Sequence, residues 1–496
     1  MSRDIFKDLF IFEMANNHQG SLEHGLNIIK KMGKIAKKHN IKAAVKLQYR
    51  HYDTFIHDDY KDRTDVKHIP RLMGTRLSQE DFTKMAETVR AEGMITMSTP
   101  FDEESVGLCM DQNLDIIKIA SCSNMDWPLL EAVADTKKPI IISTGGLEIH
   151  GIDKIYNFLT HRDCNFAILH CIGVYPAPPE LLQLDYIDKL KKRYPGVVIG
   201  YSGHESPKDT VVPTVAVAKG ASILERHVGL PTETIKLNAY SMNPEQADKW
   251  IEAGVLARTM CRYENDKKIS ESERESLLSL KRGIFAKKNI TKGDVVKRED
   301  VFFAMPCTTG QMTSGEFFED MTASRDYKVN EGIFEEKPVK DVSLVRSVVH
   351  EAKGMINEAG IELGDVFDVE LSHHFGMKNF RDYGAVIISI VNREYCKKII
   401  VVLPGQKHPI HAHKIKEETF QLLYGDLDIV LESESKTLEP GDIQTVLRGA
   451  DHSFSSKGGA IFEEISTTHI RNDSYYIDER IRKLDPMERK TILTQW

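Results

Sequence analysis

Two lysines stand inside runs that are otherwise apolar, Lys46 in AAVKLQ and Lys118 in DIIKIAS. An ammonium group buried without an anion is costly, so each demands a negative partner. One reading pairs each lysine with a carboxylate from a neighbouring strand. The other takes the two together with the hydroxyls that close similar runs, among them Thr99, Ser121, Ser143 and Ser202, as a receptor for a substrate bearing phosphate or carboxylate. That there are two such lysines, both accompanied by hydroxyls, favours the second. His204 and His227 also end short runs, VVIGYSGH and ASILERH. Two neutral imidazoles, with water or substrate oxygen, hold a divalent metal and leave positions open; the alternative is that each ring bonds a backbone group.

These residues need elements to bring them together. Residues 1–262 alternate apolar runs, at 9–13, 43–48, 94–100, 116–121, 139–145, 166–171, 197–204 and 221–227, with amphipathic stretches. The runs read as strands buried on both faces. Between them, Leu22, Leu26, Ile29, Met32 and Ile35 share a helical face behind Ser21 as N-cap, and Ser78 to Asp81 resembles a capping box. Eight strand–helix units in this length give a (β/α)8 (TIM) barrel of the α/β class, whose active sites lie at the C-terminal strand ends. That is where the lysines, hydroxyls and histidines fall, and it makes His204 and His227 neighbours. A doubly wound sheet is the alternative, but no GxGxxG turn follows the first strand.

The strand-end motifs FEMANNHQG (12–20), KLQ (46–48), STPF (98–101), KIAS (118–121), STGG (143–146), LHCIGVYP (169–176), GYSGH (200–204) and ERHVGL (225–230) resemble, in order, those of the sialic acid synthase family, the phosphoenolpyruvate-dependent synthases of nonulosonic acids. LKRGIFAKKNITKGDVVKREDVFF (280–303) resembles that family's antifreeze-like (SAF) domain. The resemblance implies that phosphoenolpyruvate sits against Lys46, Lys118, Thr99, Ser121, Ser143 and Ser202. It implies Mn2+ or Mg2+ on His204 and His227, and Glu13 on a sugar hydroxyl. Asn17, Gln48 and Tyr175 would orient substrates. It also implies a homodimer with the SAF domain over the partner's barrel. Three places depart from the family: Ser123 where a Glu is usual, Leu237 and Asn238 in KLNAYS where an Asp-His pair is usual, and MPCTTGQM (305–312) in place of a basic loop. The resemblance therefore carries the reaction class further than it carries N-acetylmannosamine as the aldose.

Residues 263–280 are charged and read as a linker or exposed helix, 281–345 as the small β-rich SAF segment, and 346–496 as a third domain, which opens on a helix at 348–360 and continues through the strand-like runs GAVIISIV, KKIIVVLPG, FQLLYGDLDIVLE, GDIQTVLRG and GAIFEEIST as an antiparallel β-barrel or jelly roll, the cupin β-barrel of the motifs that follow. In the third domain GQKHPIHAHKIKEETFQLLYG (405–425) matches the first cupin motif, with Gly405, His411, His413, Glu418 and Gly425 in the named places. PGDIQTVLRGADHSF (440–454) matches the second, with Gly441, Asp442, Gly449 and His452. His411 and His413 project to one face of a strand, and Glu418 and His452 complete a set suited to Mn2+, Fe2+, Ni2+ or Zn2+. CKKIIVVLPGQ (396–406) and IFEEISTTH (461–469) resemble cupin sugar isomerases of the D-lyxose isomerase type. That resemblance implies aldose–ketose isomerase or epimerase chemistry, with Glu463 or Glu464 and Lys416 moving a proton. A sugar isomerase with the barrel as scaffold and a sugar-binding regulator are the competing readings.

Composition trims the field. The chain has 496 residues, with 66 Lys plus Arg against 74 Asp plus Glu and a net charge of −8, and no basic tract to recommend nucleic-acid binding. No apolar run is long enough to span a bilayer. MSRDIFKDLFIFEM lacks the apolar stretch and cleavage site of a secretion signal. Seven scattered cysteines without a CxxC pair suit reduced thiols, and a cytoplasmic location is expected.

Overall fold

The computed structural model describes residues 3–261, 267–335, 341–365, 367–470, 472–494 and 496. The chain forms two units, Met1–Lys268 and Ile269–Trp496. The first is a closed parallel barrel of eight strands, β1 (Phe10–Glu13), β2 (Ala43–Tyr49), β3 (Ile95–Pro100), β4 (Ile116–Ile119), β5 (Ile140–Ser143), β6 (Phe166–Cys171), β7 (Val198–Gly203) and β8 (Ile223–His227). The expected α/β barrel is therefore present, strand for strand. Helix Leu22–His39 starts where Ser21 accepts from the His24 N–H and buries Ile28, Ile29, Met32 and Ala36. Helix Gln79–Ala91 starts at the Ser78–Asp81 capping box.

Strand alternation explains where the chemistry goes. Ile11, Ala44, Met97, Ile116, Ile141, Leu169 and Ile223 form one buried cluster, plugged from below by Phe6 and Leu9. Two residues further along the strands, on the same inward parity, stand Glu13, Lys46, Thr99, Lys118, Ser143 and Glu225, all buried. The barrel interior is thus stacked in layers, an apolar layer below and an ionic one above. Crowding at the join requires Gly200, whose added Cβ would lie 2.7 Å from the Ile223 carbonyl oxygen and 2.5 Å from Leu169. Register sets the upper layer: Glu13 is directly opposite Lys46 on one side and His227 on the other, and Ser202 is opposite Glu225.

In the second unit, helix Glu271–Leu280 buries none of its residues, as the charged composition predicts; positions 263–266 of the expected linker lie outside the described residues. A small β-rich part follows. Strand β9 (Gly283–Ala286) pairs with β11 (Val301–Ala304), and β10 (Val295–Val296) with β12 (Met321–Thr322), around Ile284, Val296, Met312 and Ile333. Helix Asp341–Glu358 begins seven residues before the expected start, because Leu344 and Val345 join Val348, Ala352 and Ile356 against the sheet behind them. The boundary expected at 345/346 thus falls inside this helix.

The remaining strands are β13 (Asp368–His373), β14 (Gly384–Asn392), β15 (Tyr395–Val402), β16 (His411–His413), β17 (Glu418–Gly425), β18 (Leu427–Leu431), β19 (Glu434–Leu438), β20 (Ile443–Val446), β21 (His452–Ser455), β22 (Ala460–Thr467), β23 (Ser474–Tyr476) and β24 (Lys490–Leu493). They form a seven-stranded sheet, β20-β17-β22-β15-β14-β13-β24, and a five-stranded sheet, β19-β18-β21-β16-β23. Phe420, Leu422, Phe454 and Phe462 fill a shared core. Strands β13, β23 and β24 have no counterpart in the sequence reading, and each adds residues to the wall of the cavity described below.

Candidate functional site

At the barrel mouth the Lys46 ammonium lies 2.6 Å from Glu13 Oε2 and 2.9 Å from Glu225 Oε1. Lys118 donates to Ser143 Oγ at 2.7 Å and sits 3.4 Å from Glu225 Oε1. Ser202 Oγ donates to that same oxygen at 2.8 Å, and Gln48 Nε2 donates to Glu13 Oε1 at 3.0 Å. The two readings of the lysines therefore merge. The ammonium groups point inward, as a substrate site requires, but carboxylates from β1 and β8 already balance them. Glu225 belongs to the strand-end motif ERHVGL but has no role in the sequence reading, although its spacing of two from His227 marks it as inward-facing. Burial works to raise its pKa, but the charges of Lys118 and Lys46 outweigh this and hold it well below the usual range. Burial pulls Lys46 down to about 7 against the attraction of Glu225.

The layer is not fully satisfied. Thr99 Oγ1, Glu225 Oε2 and His227 Nδ1 are buried without a hydrogen-bond partner among the described residues. Ser121 Oγ accepts from the Gly145 N–H at 3.1 Å. The rings of His204 and His227 stand 5.4 Å apart, centroid to centroid. His204 Nδ1 donates to the Ile172 carbonyl at 2.9 Å, which leaves its Nε2 bare. Burial pushes His204 down to about 4 and His227 well below its ordinary value. Both rings are thus neutral donors, and with the open His227 Nδ1 they suit a divalent cation.

Above the imidazoles, Tyr175 lies 4.1 Å from the His204 ring and Tyr240 lies 5.0 Å from that of His227. Tyr240 was missed in the sequence. Asn238 Oδ1 accepts from the N–H groups of Tyr240 and Ser241, so at this departure from the family pattern the residue shapes the turn that presents Tyr240. Asn17, expected to orient substrate, spends its amide nitrogen on the Val228 carbonyl at 2.8 Å and Ser241 Oγ at 3.0 Å. It ties the loop after β1 to the loop after β8. In the small part, Cys307 and Thr308 turn back on Gln311, whose Nε2 donates to the Ile284 carbonyl at 2.8 Å; the 305–312 loop is held by its own polar contacts.

The second unit carries its own site. His411, His413, Glu418 and His452 are all buried, and their ligand atoms lie within 4.8 Å of one another. His411 is directly opposite His452 across β16 and β21. Each ring hands its Nδ1 hydrogen to a backbone carbonyl, His411 to Pro409 at 3.1 Å, His413 to Asp473 at 2.8 Å and His452 to Ala450 at 3.1 Å. All three Nε2 atoms are thereby left as bare acceptors. His452 Nε2 and Glu418 Oε2 are 3.1 Å apart, yet neither has a hydrogen-bond partner among the described residues. Acceptors converging on acceptors is the arrangement a metal ion resolves, and the donor set fits one.

The cluster opens on a cavity of about 640 Å3. Glu464 faces into it, 3.0 Å from Lys398 and 3.1 Å from Lys416, and Lys416 also contacts Glu418. Burial lowers the Lys416 pKa, but Glu464 and Glu418 outweigh it and hold the ammonium charged. Of the two expected glutamates only Glu464 belongs here. Glu463 points to the other face of β22, paired with Lys397 at 2.5 Å, because consecutive strand residues face opposite ways.

Comparison with known proteins agrees with the barrel's geometry. Residues 34–262 match the model of the NeuB family. The chain is 31% identical to the protein MJ1065 of Methanocaldococcus jannaschii over 60% of its own length and 84% of that protein. It is 27% identical to the N,N'-diacetyllegionaminic acid synthase of Campylobacter jejuni over 66% of its length and 99% of the relative. A crystal structure described as spore coat polysaccharide biosynthesis protein E of Chromobacterium violaceum shares 42% identity at a TM-score of 0.62, covering 66% of this chain and 98% of that one. A closed eight-stranded barrel with paired lysines and bare imidazoles at its mouth, and relatives that align over most of their own length, place this chain in the NeuB family.

Proposed function

We propose that the barrel joins phosphoenolpyruvate to an open-chain aldose, giving a nonulosonic 3-deoxy-2-keto acid and inorganic phosphate, for surface glycan biosynthesis. The observation that carries this reading is the buried line Glu13–Lys46–Glu225–Lys118–Ser143 beside two neutral imidazoles. Lys46 and Lys118, with Thr99, Ser121, Ser143 and Ser202, hold the phosphate and carboxylate of phosphoenolpyruvate by charge-assisted hydrogen bonds. Glu13 and Gln48 take sugar hydroxyls, and Tyr175 covers the aldehyde end. His204 and His227 would hold Mn2+ or Mg2+, which would supply Lewis-acid polarisation of the aldehyde. Carbon 3 of phosphoenolpyruvate attacks that aldehyde, water adds at carbon 2, and phosphate departs by C–O cleavage. The buried lysines keep the departing phosphate neutralised. Asn17 acts by position, fixing the loops that carry these groups.

The division into a barrel (1–262), a linker (263–280), a SAF part and a cupin part is proposed with the last boundary moved to 340/341, ahead of helix Asp341–Glu358. The match to the Chromobacterium structure reaches beyond the barrel's share of the chain, which supports the small part acting with the barrel. A homodimer with that part over the partner's barrel belongs to the same reading.

A second activity is favoured by Glu464 and Lys416 in the cupin cavity beside the metal set. There Glu464 would move a proton between adjacent carbons of a sugar, interconverting an aldose and a ketose.

The test is incubation with phosphoenolpyruvate, Mn2+ and a panel of aldoses that includes N-acetylmannosamine, following phosphate release and the mass of the acid. Aldose-dependent release is expected. No release with any aldose, or an unaltered rate in Lys46→Ala, overturns the barrel assignment. Isomerisation without phosphoenolpyruvate assigns the cupin.

A further inference from the structure

The two imidazoles of the barrel mouth are not held alike. His227 is the last residue of β8 and stands in the ladder opposite Glu13 of β1. His204 lies one residue beyond β7, whose pairing with β8 ends at Gly203 opposite Arg226, so no strand register fixes it. Its ring donates to the Ile172 carbonyl at 2.9 Å, and its own carbonyl accepts from the Ala177 N–H at 2.9 Å. Both partners belong to the segment after β6. Neither ties His204 to the strand that carries His227.

The next residue makes that tie. Glu205 follows His204, Arg226 precedes His227, and the two side chains meet. Arg226 Nη1 pairs with Glu205 Oε1, and Nη2 donates to the Glu205 backbone carbonyl at 2.8 Å. The Tyr201 hydroxyl donates to Glu205 Oε2 at 3.1 Å. None of the three residues is more than 2% exposed. Consecutive strand residues face opposite ways, so with Glu225 and His227 turned into the barrel Arg226 lies on the outer side of its wall. One guanidinium thus grips a single residue at two points, side chain and backbone, and fixes the chain just past His204. Gly203 makes room for this: a Cβ there would lie 2.4 Å from Glu205 Oε2 and 2.9 Å from Arg226 Cδ. A buried ion pair contributes little to stability that apolar side chains of similar volume would not. What it adds is direction, because both contacts hold in only one relative placement of the two strand ends.

We infer that Glu205 and Arg226 are positioning residues for the divalent ion of the barrel, and that their contact sets the spacing of His204 and His227 and with it the affinity of the site. The inference goes beyond the proposed condensation and rests on its placing of the ion on these two rings. The Glu205 oxygens are taken by Arg226 and Tyr201, so each member of the pair acts through the imidazole beside it. Imidazole nitrogens bind a divalent ion such as zinc at about 2.1 Å, and a ring that drifts by a fraction of that distance is lost as a ligand. Partners that orient metal-binding histidines change affinity by about 10- to 100-fold when removed.

The experiment measures Mn2+ binding by the full chain carrying His452→Ala, which removes a ligand of the cupin cluster. Calorimetry gives the Kd, and electron-spin-echo modulation counts the imidazole nitrogens on the bound ion. This parent is expected to bind Mn2+ through two imidazoles and to lose it on His204→Ala. No binding, or binding that survives His204→Ala, overturns the placing of the ion and the inference with it. Glu205→Gln is expected to raise Kd by about tenfold or more and to reduce the nitrogen signal from two rings to one. Arg226→Lys keeps the charge but cannot reach both acceptors, and is expected to fall between. Tyr201→Phe leaves the two-point grip intact and is expected to stay within about threefold of the parent. Glu205→Leu combined with Arg226→Met is expected to regain the melting temperature lost in the single variants, but not the Mn2+ affinity. Recovery of both in the double variant, equal weakening in Tyr201→Phe, or an unchanged Kd in Arg226→Lys overturns the inference. The Lys and Phe variants remove least, and they decide the matter if the others fail to fold.

Discussion

Glu225 Oε1 stands 2.9 Å from the Lys46 ammonium and is shared with Lys118 at 3.4 Å. One carboxylate oxygen thus pins the two cations assigned to the substrate, so an incoming anion competes with a group of the protein for the same charges. Glu225→Gln is expected to lower stability to urea by about 3 kcal/mol, the scale for breaking a buried ion pair. Phosphoenolpyruvate, by replacing the lost negative charge, is expected to raise the melting temperature more in this variant than in wild type. Equal shifts would mean that the substrate does not meet these lysines.

The bare Nε2 atoms of the cupin cluster predict tight uptake of one divalent ion by the second unit. Elemental analysis of His452→Ala and Glu418→Gln proteins is expected to show that equivalent missing, while metal added at a thousand times its Kd stabilises wild type by about 4 kcal/mol. Full metal content in both variants would remove the cluster from consideration.

Opposite faces of β22 separate two adjacent glutamates. If the cupin isomerises a sugar, Glu464→Gln is expected to lower that rate by about 10²- to 10⁴-fold, the range for a lost acid–base group. Glu463→Gln, which loses only its outward pair with Lys397, is expected to stay within about threefold of wild type. Chiral chromatography of the sugar products reads both.

His18, in the segment between β1 and helix Leu22–His39, gives a pH prediction. It is buried against Phe82 and its pKa is pushed down to about 4 by burial and by His24. Because the folded value lies below the ordinary 6.5, the unfolded chain binds the extra proton first. The neutral-ring contribution is complete above pH 6.5 and is lost as the pH falls toward 4, at about 1.4 kcal/mol per pH unit for one proton. Unfolding free energies measured from pH 7 to 4.5 are expected to fall less steeply in His18→Gln. An identical slope would show that His18 is not the group titrating.

Much of this architecture is legible in the chain itself, for reasons that are local. Runs such as IIKIAS and PIIISTG are apolar at consecutive positions, which only doubly buried strands require. A polar residue at each run's end has one destination in a parallel barrel. The HxH spacing puts two rings on one strand face. Lys46, Lys118, His204 and His227 could be singled out because their types are costly or reactive where their neighbours are apolar.

Other features required the fold. Glu225 shares the parity of its better-known neighbour His227, but whether a carboxylate neutralises a lysine depends on which strands close the barrel: β8 reaches β1 only because eight strands complete the circle. The choice between Glu463 and Glu464 depended on which face of β22 turned inward. The wall from β13, β23 and β24 joins residues more than a hundred positions apart. Sequence spacing specifies the direction of a side chain relative to its own strand; which partner it meets is decided by closure and register, and in this protein those decide how the buried charge is balanced.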